Sequence, residues 1–159
     1  MSRNRHPWLL PASLVVAVVL GLLPLPDWLQ PFRPNWLALV LGYWLIEAPD
    51  RVGLGIAFLM GLAADLAFGS LLGEHALRLT IMAFIVQRFR AQLRFFPVSQ
   101  QALAIGGLLL NDLVVSAVLH LALGEPLLPP AFWWAPMVGM LLWAPVFVML
   151  DRLRLGGRG

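Results

Sequence analysis

The residues that could do chemistry are few, and most lie within apolar stretches of the chain. Asp65 follows Ala57 and Gly61 at four-residue spacing, and Gly69 follows it, so a helix would place all four on one face. Small residues on such a face allow a second helix to approach closely. An ionised carboxylate within a bilayer costs about 3 kcal/mol on insertion scales, so Asp65 is expected to be paired, protonated or facing a cavity. The pattern predicts either a polar site in a bundle interior or a structural hydrogen bond between helices.

A second polar group lies near the middle of the fifth apolar segment and consists of Asn111, Asp112, Ser116 and His120. The last three repeat every four residues and would form a stripe on one helix face. Asp112 and His120 would be about 12 Å apart along the axis, too far to bind one metal ion together. The stripe therefore predicts an interior polar site without a metal, which lines a cavity or packs between helices. A proton relay is the alternative, and packing is the more ordinary explanation.

Charged residues also cluster at the ends of the apolar segments. Glu74, His75 and Arg78 lie near the outer end of the fourth segment, where we expect them to be solvated, to pair with neighbours or to contact a partner. Three further arginines precede Pro97 on a predicted cytoplasmic hinge: Arg88, Arg90 and Arg94. They are expected to orient the protein and to meet anionic lipid, and docking of a cytoplasmic partner is a possible second role.

No pattern indicates catalysis. The chain has no cysteine, and it contains no nucleophile elbow, phosphate-binding glycine loop or metal motif. The sequence therefore predicts a protein that is not an enzyme, with no catalytic residue, no cofactor and no metal.

The composition identifies the solvent of these segments as lipid. Hydrophobic residues make up 60% of the 159 residues and charged residues only 12%, about half the share of a soluble domain. Mean hydropathy is +0.84. All eleven basic residues are arginines, and they flank apolar segments, as membrane topology requires and nucleic-acid binding does not.

Breakers divide the chain into six candidate spans: 7–25, 34–48, 52–68, 71–87, 101–123 and 131–150. Six spans with both termini in the cytoplasm leave nine arginines inside and two, Arg33 and Arg78, outside. Omitting the short second span gives eight to three at best, so the positive-inside rule favours six. The prediction is an all-α, multi-pass membrane helix bundle, with residues 1–159 as one membrane domain.

Several motifs, in order, resemble the MreD family of rod shape-determining proteins. They are Arg33-Pro34-Asn35-Trp36, Tyr43-Trp44, Pro49-Asp50-Arg51-Val52-Gly53, Gly61-Leu62-Ala63-Ala64-Asp65, Gly69 to Leu77, and Arg94-Phe95-Phe96-Pro97 with Gln100-Gln101. Together they cover residues 33–101, and the outer spans match by length and hydropathy only. The family often has Asp where this chain has Asn35, and Gln where it has Glu74.

The resemblance implies a non-enzymatic, multi-pass subunit in the bacterial inner membrane that belongs to the complex elongating the wall of rod-shaped cells. MreC is the expected direct partner, and MreB, the elongation transpeptidase and the glycosyltransferase RodA are expected members of the complex. Candidate residues for partner contact or helix packing are Trp36, Arg51, Gly61, Asp65, Gly69, Glu74 and His75.

The resemblance also implies a fold similar to the substrate-binding subunits of energy-coupling-factor transporters. That likeness leaves an alternative function open. The chain would then be the small-molecule-binding subunit of a transporter, with a pocket near Asp65 and Asp112.

Overall fold

A computed structural model describes residues 6–156, which form six α-helices and no strand. The helices are α1 (Leu9–Leu22), α2 (Trp36–Glu47), α3 (Leu54–Phe68), α4 (Glu74–Phe95), α5 (Val98–Ala122) and α6 (Ala135–Leu155). Two short 3₁₀ helices, Gln30–Phe32 and Pro130–Trp134, lie in the loops before α2 and α6. The predicted all-helical fold and the number of helices are confirmed.

The centre of the bundle is α2. Its residues from Leu37 to Ile46 are all buried, and it contacts α1, α4, α5 and α6. A helix that is apolar all round is stable only where neighbours surround it, which explains this position. With 12 residues, α2 is about 18 Å long. It is therefore much shorter than the roughly 30 Å hydrocarbon core of a bilayer.

Helix α3 packs most extensively on α4, through the small-residue face that the sequence predicted. Ala57, Gly61 and Asp65 are buried on this face. Gly69 is different, since α3 ends at Phe68 and Gly69 takes the left-handed conformation, φ +66°, that terminates the helix. The prediction that Gly69 shares the helical face is therefore wrong.

The order of the helices gives the bundle two distinct ends. Six arginines lie at what we call the basic end: Arg51, Arg88, Arg90, Arg94, Arg152 and Arg154. The opposite end, called the distal end, holds the α3–α4 turn and the loops before α2 and α6. Both described chain ends meet at the basic end, where a Cβ on Gly156 would lie 3.8 Å from His6. Arg3, Arg5 and Arg158, which the predicted topology also placed inside, are outside the described residues.

Helix α4 extends beyond the predicted span 71–87. It runs to Phe95, so Arg88, Arg90 and Arg94 lie in its last turns and not on a hinge. Hydropathy ends the predicted span at the first arginine. Arg, Gln, Ala and Leu are good helix formers, however, so the helix continues to Phe95, two residues before the helix-breaking Pro97.

The outer surface of the bundle is strongly apolar. Leu66 is 76% exposed, Leu141 is 73% exposed and Phe84 is 61% exposed. Such a surface suits lipid and would be unfavourable in water. Two segments, Val98–Ala122 and Pro130–Leu155, are long and apolar enough to cross a membrane, whereas α1 and α3 are apolar but shorter.

We expect Gly61→Ala to destabilise the protein. A Cβ at Gly61 would lie only 2.7 Å from the carbonyl carbon of His75, and backbone cannot yield as a flexible side chain can. Overpacking of this kind typically costs about 1–3 kcal/mol. The measurement is the midpoint of thermal unfolding of the purified protein in detergent.

Gly55→Ala is the matched control, because it lies in the same helix and a Cβ there meets nothing within 4 Å. It should leave the midpoint unchanged or slightly raised. Equal midpoints for the two variants would contradict the close α3–α4 contact.

Candidate functional site

Asp65 caps the N-terminus of α4 from the neighbouring helix. Its Oδ2 accepts a hydrogen bond from the Gly73 N–H at 2.8 Å, and its Oδ1 accepts one from the His75 N–H, also at 2.8 Å. The first N–H groups of a helix have no partner within it, and the positive end of the helix dipole favours an anion there. A carboxylate that is 1% exposed thus satisfies backbone groups that would otherwise be buried unpaired.

Ser70 and His75 complete this turn. The Ser70 hydroxyl donates to Asp65 Oδ1 at 2.9 Å, and His75 Nδ1 lies 2.9 Å from that oxygen and 3.1 Å from Ser70 Oγ. A catalytic triad requires serine and carboxylate on opposite ring nitrogens. Here both face Nδ1, so the three residues form an anchored turn and not an activated nucleophile.

An ion pair between α4 and α5 lies deeper in the bundle. Arg78 donates to Asp112 through two nitrogens, with Nε at 3.0 Å from Oδ1 and Nη2 on Oδ2. This bidentate geometry is the stronger form of a charge-assisted hydrogen bond. Asn35, which precedes α2, donates from Nδ2 to Asp112 Oδ2 at 3.3 Å, while its Oδ1 accepts from the Ala38 N–H. One carboxylate thus ties together α2, α4 and α5.

Glu74 extends the network towards the distal end. Its Oε1 accepts from Arg78 Nη1 at 3.3 Å and from Ser116 Oγ at 3.4 Å, and it lies 3.6 Å from His120 Nε2. The stripe of Asp112, Ser116 and His120 therefore faces the first turns of α4, with Asp112 and Ser116 both buried. We call the set Asn35, Glu74, Arg78, Asp112, Ser116 and His120 the distal network.

Asn111 does not join the distal network. It lies in a groove between α4 and α5 together with Ile85, Phe89, Leu93, Gly107 and Leu108, and the groove encloses about 370 Å³. Its amide makes no side-chain hydrogen bond to the part of the chain that the structure describes. The sequence grouped Asn111 with Asp112, but adjacent residues on a helix point about 100° apart.

The remaining predicted residues are distributed over both ends. Arg90 donates from Nε to the Ile46 carbonyl at 2.9 Å, at the last turn of α2, and Arg51 donates to the Pro7 carbonyl at 3.2 Å. Arg88 and Arg94 are exposed at the basic end. Trp36 begins α2 and packs against the core.

A second cluster, at the basic end, was missed by the sequence reasoning. Arg154 donates to Glu47 Oε2 at 3.1 Å and to Asp151 Oδ1 at 3.0 Å, and its guanidinium lies 5.8 Å from the Tyr43 ring centre. Tyr43 in turn donates to Asp151 at 3.1 Å. The spacing of Tyr43 to Glu47 and of Asp151 to Arg154 places each pair on one helix face, which was the available signal.

No metal centre is present in residues 6–156, because no three His, Asp or Glu side chains there converge closely enough to hold an ion. The site consists instead of charge pairs and helix caps. These pairs and caps join the ends of helices in a low-dielectric interior. One further cationic group, Arg33, lies beside the distal network.

Six packed helices with an apolar exterior and internally paired charges define an α-helical membrane protein. A family model described as rod shape-determining protein MreD matches residues 2–153. The chain is also similar to the rod shape-determining protein MreD of Haemophilus influenzae, with 36% identity over 145 residues, which is 88% of this chain and 86% of that protein. The chain belongs to the MreD family, as its motifs predicted, and this supports a role in cell shape. No solved structure matches it.

Both departures from the expected family pattern lie in the distal network. Asn35 and Glu74 each bond a member of the Arg78–Asp112 pair. If the family pattern has Asp and Gln at these positions, the two exchanges cancel, and the number of carboxylates around Arg78 is unchanged. The two departures together then keep the net charge around Arg78. They change only whether the carboxylate that accompanies Asp112 lies at position 35 or at position 74.

We expect Asn35→Asp alone to destabilise the protein, because it removes a donor to Asp112 and adds a carboxylate to the network. Glu74→Gln added to it should recover part of the loss, giving a coupling free energy of about 1 kcal/mol or more in a double-mutant cycle. The measurement is detergent unfolding of the four proteins. Additivity within about 0.5 kcal/mol would show that the two positions do not share one charge balance.

Proposed function

We propose that this chain is a non-enzymatic, six-span subunit of the bacterial inner membrane that binds MreC and helps organise peptidoglycan synthesis for rod cell shape. The observation that carries the proposal is the family match over residues 2–153. In this proposal MreB, the elongation transpeptidase and RodA belong to the same complex.

The charge distribution supports a cytoplasmic basic end. Of the arginines in the described residues, Arg33 and Arg78 lie at the distal end, and both make hydrogen bonds there. The positive-inside rule then orients both termini to the cytoplasm. Exposed Arg88 and Arg94 are available at that face for anionic lipid or for a cytoplasmic member of the complex.

The groove between α4 and α5 is the surface that we propose for the single transmembrane helix of MreC. Gly107 is exposed there, and a Cβ on it would meet nothing within 4 Å, so a partner helix can approach its backbone. Asn111 supplies an amide without a partner within the described chain, and such a group in lipid favours a hydrogen bond across helices.

The small-residue face of α3 was expected to contact a partner, but α4 already covers it. Gly61 and Asp65 are buried against α4 and its N-terminus. The proposal therefore assigns MreC to α4 and α5. The transporter-subunit alternative and the similarity to energy-coupling-factor subunits stay predictions from the sequence.

Depletion of the protein in its rod-shaped host tests the proposed function. We expect the cells to become round and to lyse, with the rod shape restored by the native gene, because wall elongation loses its membrane subunit. Microscopy of cell shape is the measurement. Cells that remain rod-shaped but require an added nutrient would contradict the proposal and favour the transporter subunit.

Two variants test the groove. Asn111→Leu removes the amide at similar volume, and Gly107→Leu adds a side chain to the groove at a position where a Cβ meets nothing within 4 Å. Asn111→Leu should reduce co-purification of MreC from membranes by about three- to thirtyfold, since an interhelical hydrogen bond in lipid contributes about 0.6–2 kcal/mol. Gly107→Leu should also reduce it, because the added side chain keeps a partner helix away from the backbone.

Leu110→Ala is the control, because Leu110 is exposed on the same helix but does not line the groove. It should co-purify with MreC as the native chain does. Normal recovery of MreC with both groove variants would place the contact on another surface. The proposed function itself is tested separately, by the depletion experiment.

A further inference from the structure

A cavity of about 530 Å³ lies at the distal end, beside the distal network. It is bounded by the end of α1, the start of α2, the end of α3, the start of α4, the middle of α5 and the loop before α6. Its volume is within the usual range for small-molecule sites, about 300–1,000 Å³. Nothing in the proposed contact with MreC uses this space, because the α4–α5 groove has a different lining.

The walls of the cavity are apolar. They include Leu22, Phe68, Leu113 and Phe132, which come from four different parts of the chain. Leu22 and its neighbour Leu23 are about half exposed at the end of α1, at 48% and 49%. Leu22 thus borders both the cavity and the apolar outer surface of α1, which is where a hydrocarbon chain would leave the cavity for the surrounding lipid.

The polar side of the cavity is lined by two guanidinium groups, Arg33 and Arg78, and by the Asp112 carboxylate. The Arg78 guanidinium is occupied by Asp112 and Glu74. Arg33 is not, because only Nη2 is used, donating to the Leu23 carbonyl at 2.9 Å and to the Leu20 carbonyl at 3.5 Å. Its Nε and Nη1 have no hydrogen-bond partner among residues 6–156.

His75 contributes a second available polar atom. Its Nδ1 faces Asp65 and Ser70, so Nε2 is the ring nitrogen left for a ligand on the cavity side. Because Nδ1 faces the Asp65 carboxylate oxygen, the ring hydrogen that this contact requires lies on Nδ1. Arg33 therefore supplies the unused hydrogen-bond donors beside the cavity, Nε and Nη1, next to the Arg78–Asp112 ion pair.

We infer that this cavity binds the phosphate headgroup of an anionic membrane lipid. Guanidinium N–H groups recognise phosphate oxygens well. The apolar walls select a phosphate that carries hydrocarbon chains over free phosphate, which would leave those walls against water. The inference goes beyond the proposed function, since binding of a lipid here is independent of MreC.

Titration of the purified full-length chain in detergent tests the inference. The probes are dioleoyl phosphatidylglycerol, dioleoyl phosphatidylcholine with the same chains, and sodium phosphate. The readouts are native mass spectrometry and the midpoint of thermal unfolding. We expect one phosphatidylglycerol to be retained and to raise the midpoint, while neither of the other probes matches it at equal concentration.

Two variants locate the lipid. Arg33→Gln should weaken phosphatidylglycerol binding by about tenfold or more, because it removes a charged donor. Leu113→Trp fills the cavity without changing its charge and should abolish binding. Arg152→Gln is the control, since it removes an exposed arginine at the basic end that is given no lipid contact, and it should bind as the native chain does.

Each other result overturns the inference. Equal loss in Arg33→Gln and Arg152→Gln would show general attraction of anionic lipid. Stabilisation by sodium phosphate that displaces the lipid would assign the cavity to a soluble anion. Because Arg33 also bonds the carbonyls at the end of α1, its variant could fail to fold. In that case Leu113→Trp is the test of the inference. If the folded Leu113→Trp variant still retains the lipid, the lipid binds outside the cavity.

Discussion

The structure depends on how the ends of α2 are satisfied. This helix is buried along almost its whole length and is too short to reach water at both ends of a bilayer. The unpaired N–H and C=O groups at its ends must therefore find partners within the protein. Asn35 supplies one at the first turn, Arg90 bonds the Ile46 carbonyl at the last, and Arg154 holds Glu47. The surrounding helices are fixed by the polar groups that meet these ends.

The same requirement explains three further polar residues. Asp65 caps α4, Gln101 donates from Nε2 to the Leu93 carbonyl near the end of α4, and Arg33 bonds the Leu20 and Leu23 carbonyls at the end of α1. Each of these side chains comes from a different helix or loop than the backbone it satisfies. A polar residue used in this way offsets its own insertion cost, because it removes unpaired backbone groups from lipid and also fixes a helix–helix contact.

The fold was largely predictable from the sequence, and the site only partly. Proline and glycine breakers located all six helices, and four-residue spacing placed Ala57, Gly61 and Asp65 on one buried face. The same spacing misplaced Gly69, because helix periodicity does not show where a helix stops. It also could not show that Asp65 caps α4 and that Asp112 pairs with Arg78, since those contacts join helices that are distant in sequence. Hydropathy ended α4 too early at Arg88, since it measures compatibility with lipid and not helix propensity.

Because many buried polar groups already have hydrogen-bond partners within the chain, the best candidates for binding a ligand or partner are different residues from those that the sequence suggested. Asp65 and Asp112 were natural candidates for a ligand or partner, since a carboxylate within a membrane is usually functional. Both have their hydrogen-bonding capacity used inside the chain, by backbone N–H groups or by Arg78 and Asn35. A group that already has partners gains little from a new contact, because the new bond must replace an existing one. Asn111 in the α4–α5 groove and Arg33 at the distal cavity have unused donors, so recognition at membrane depth is more favourable there than at the carboxylates.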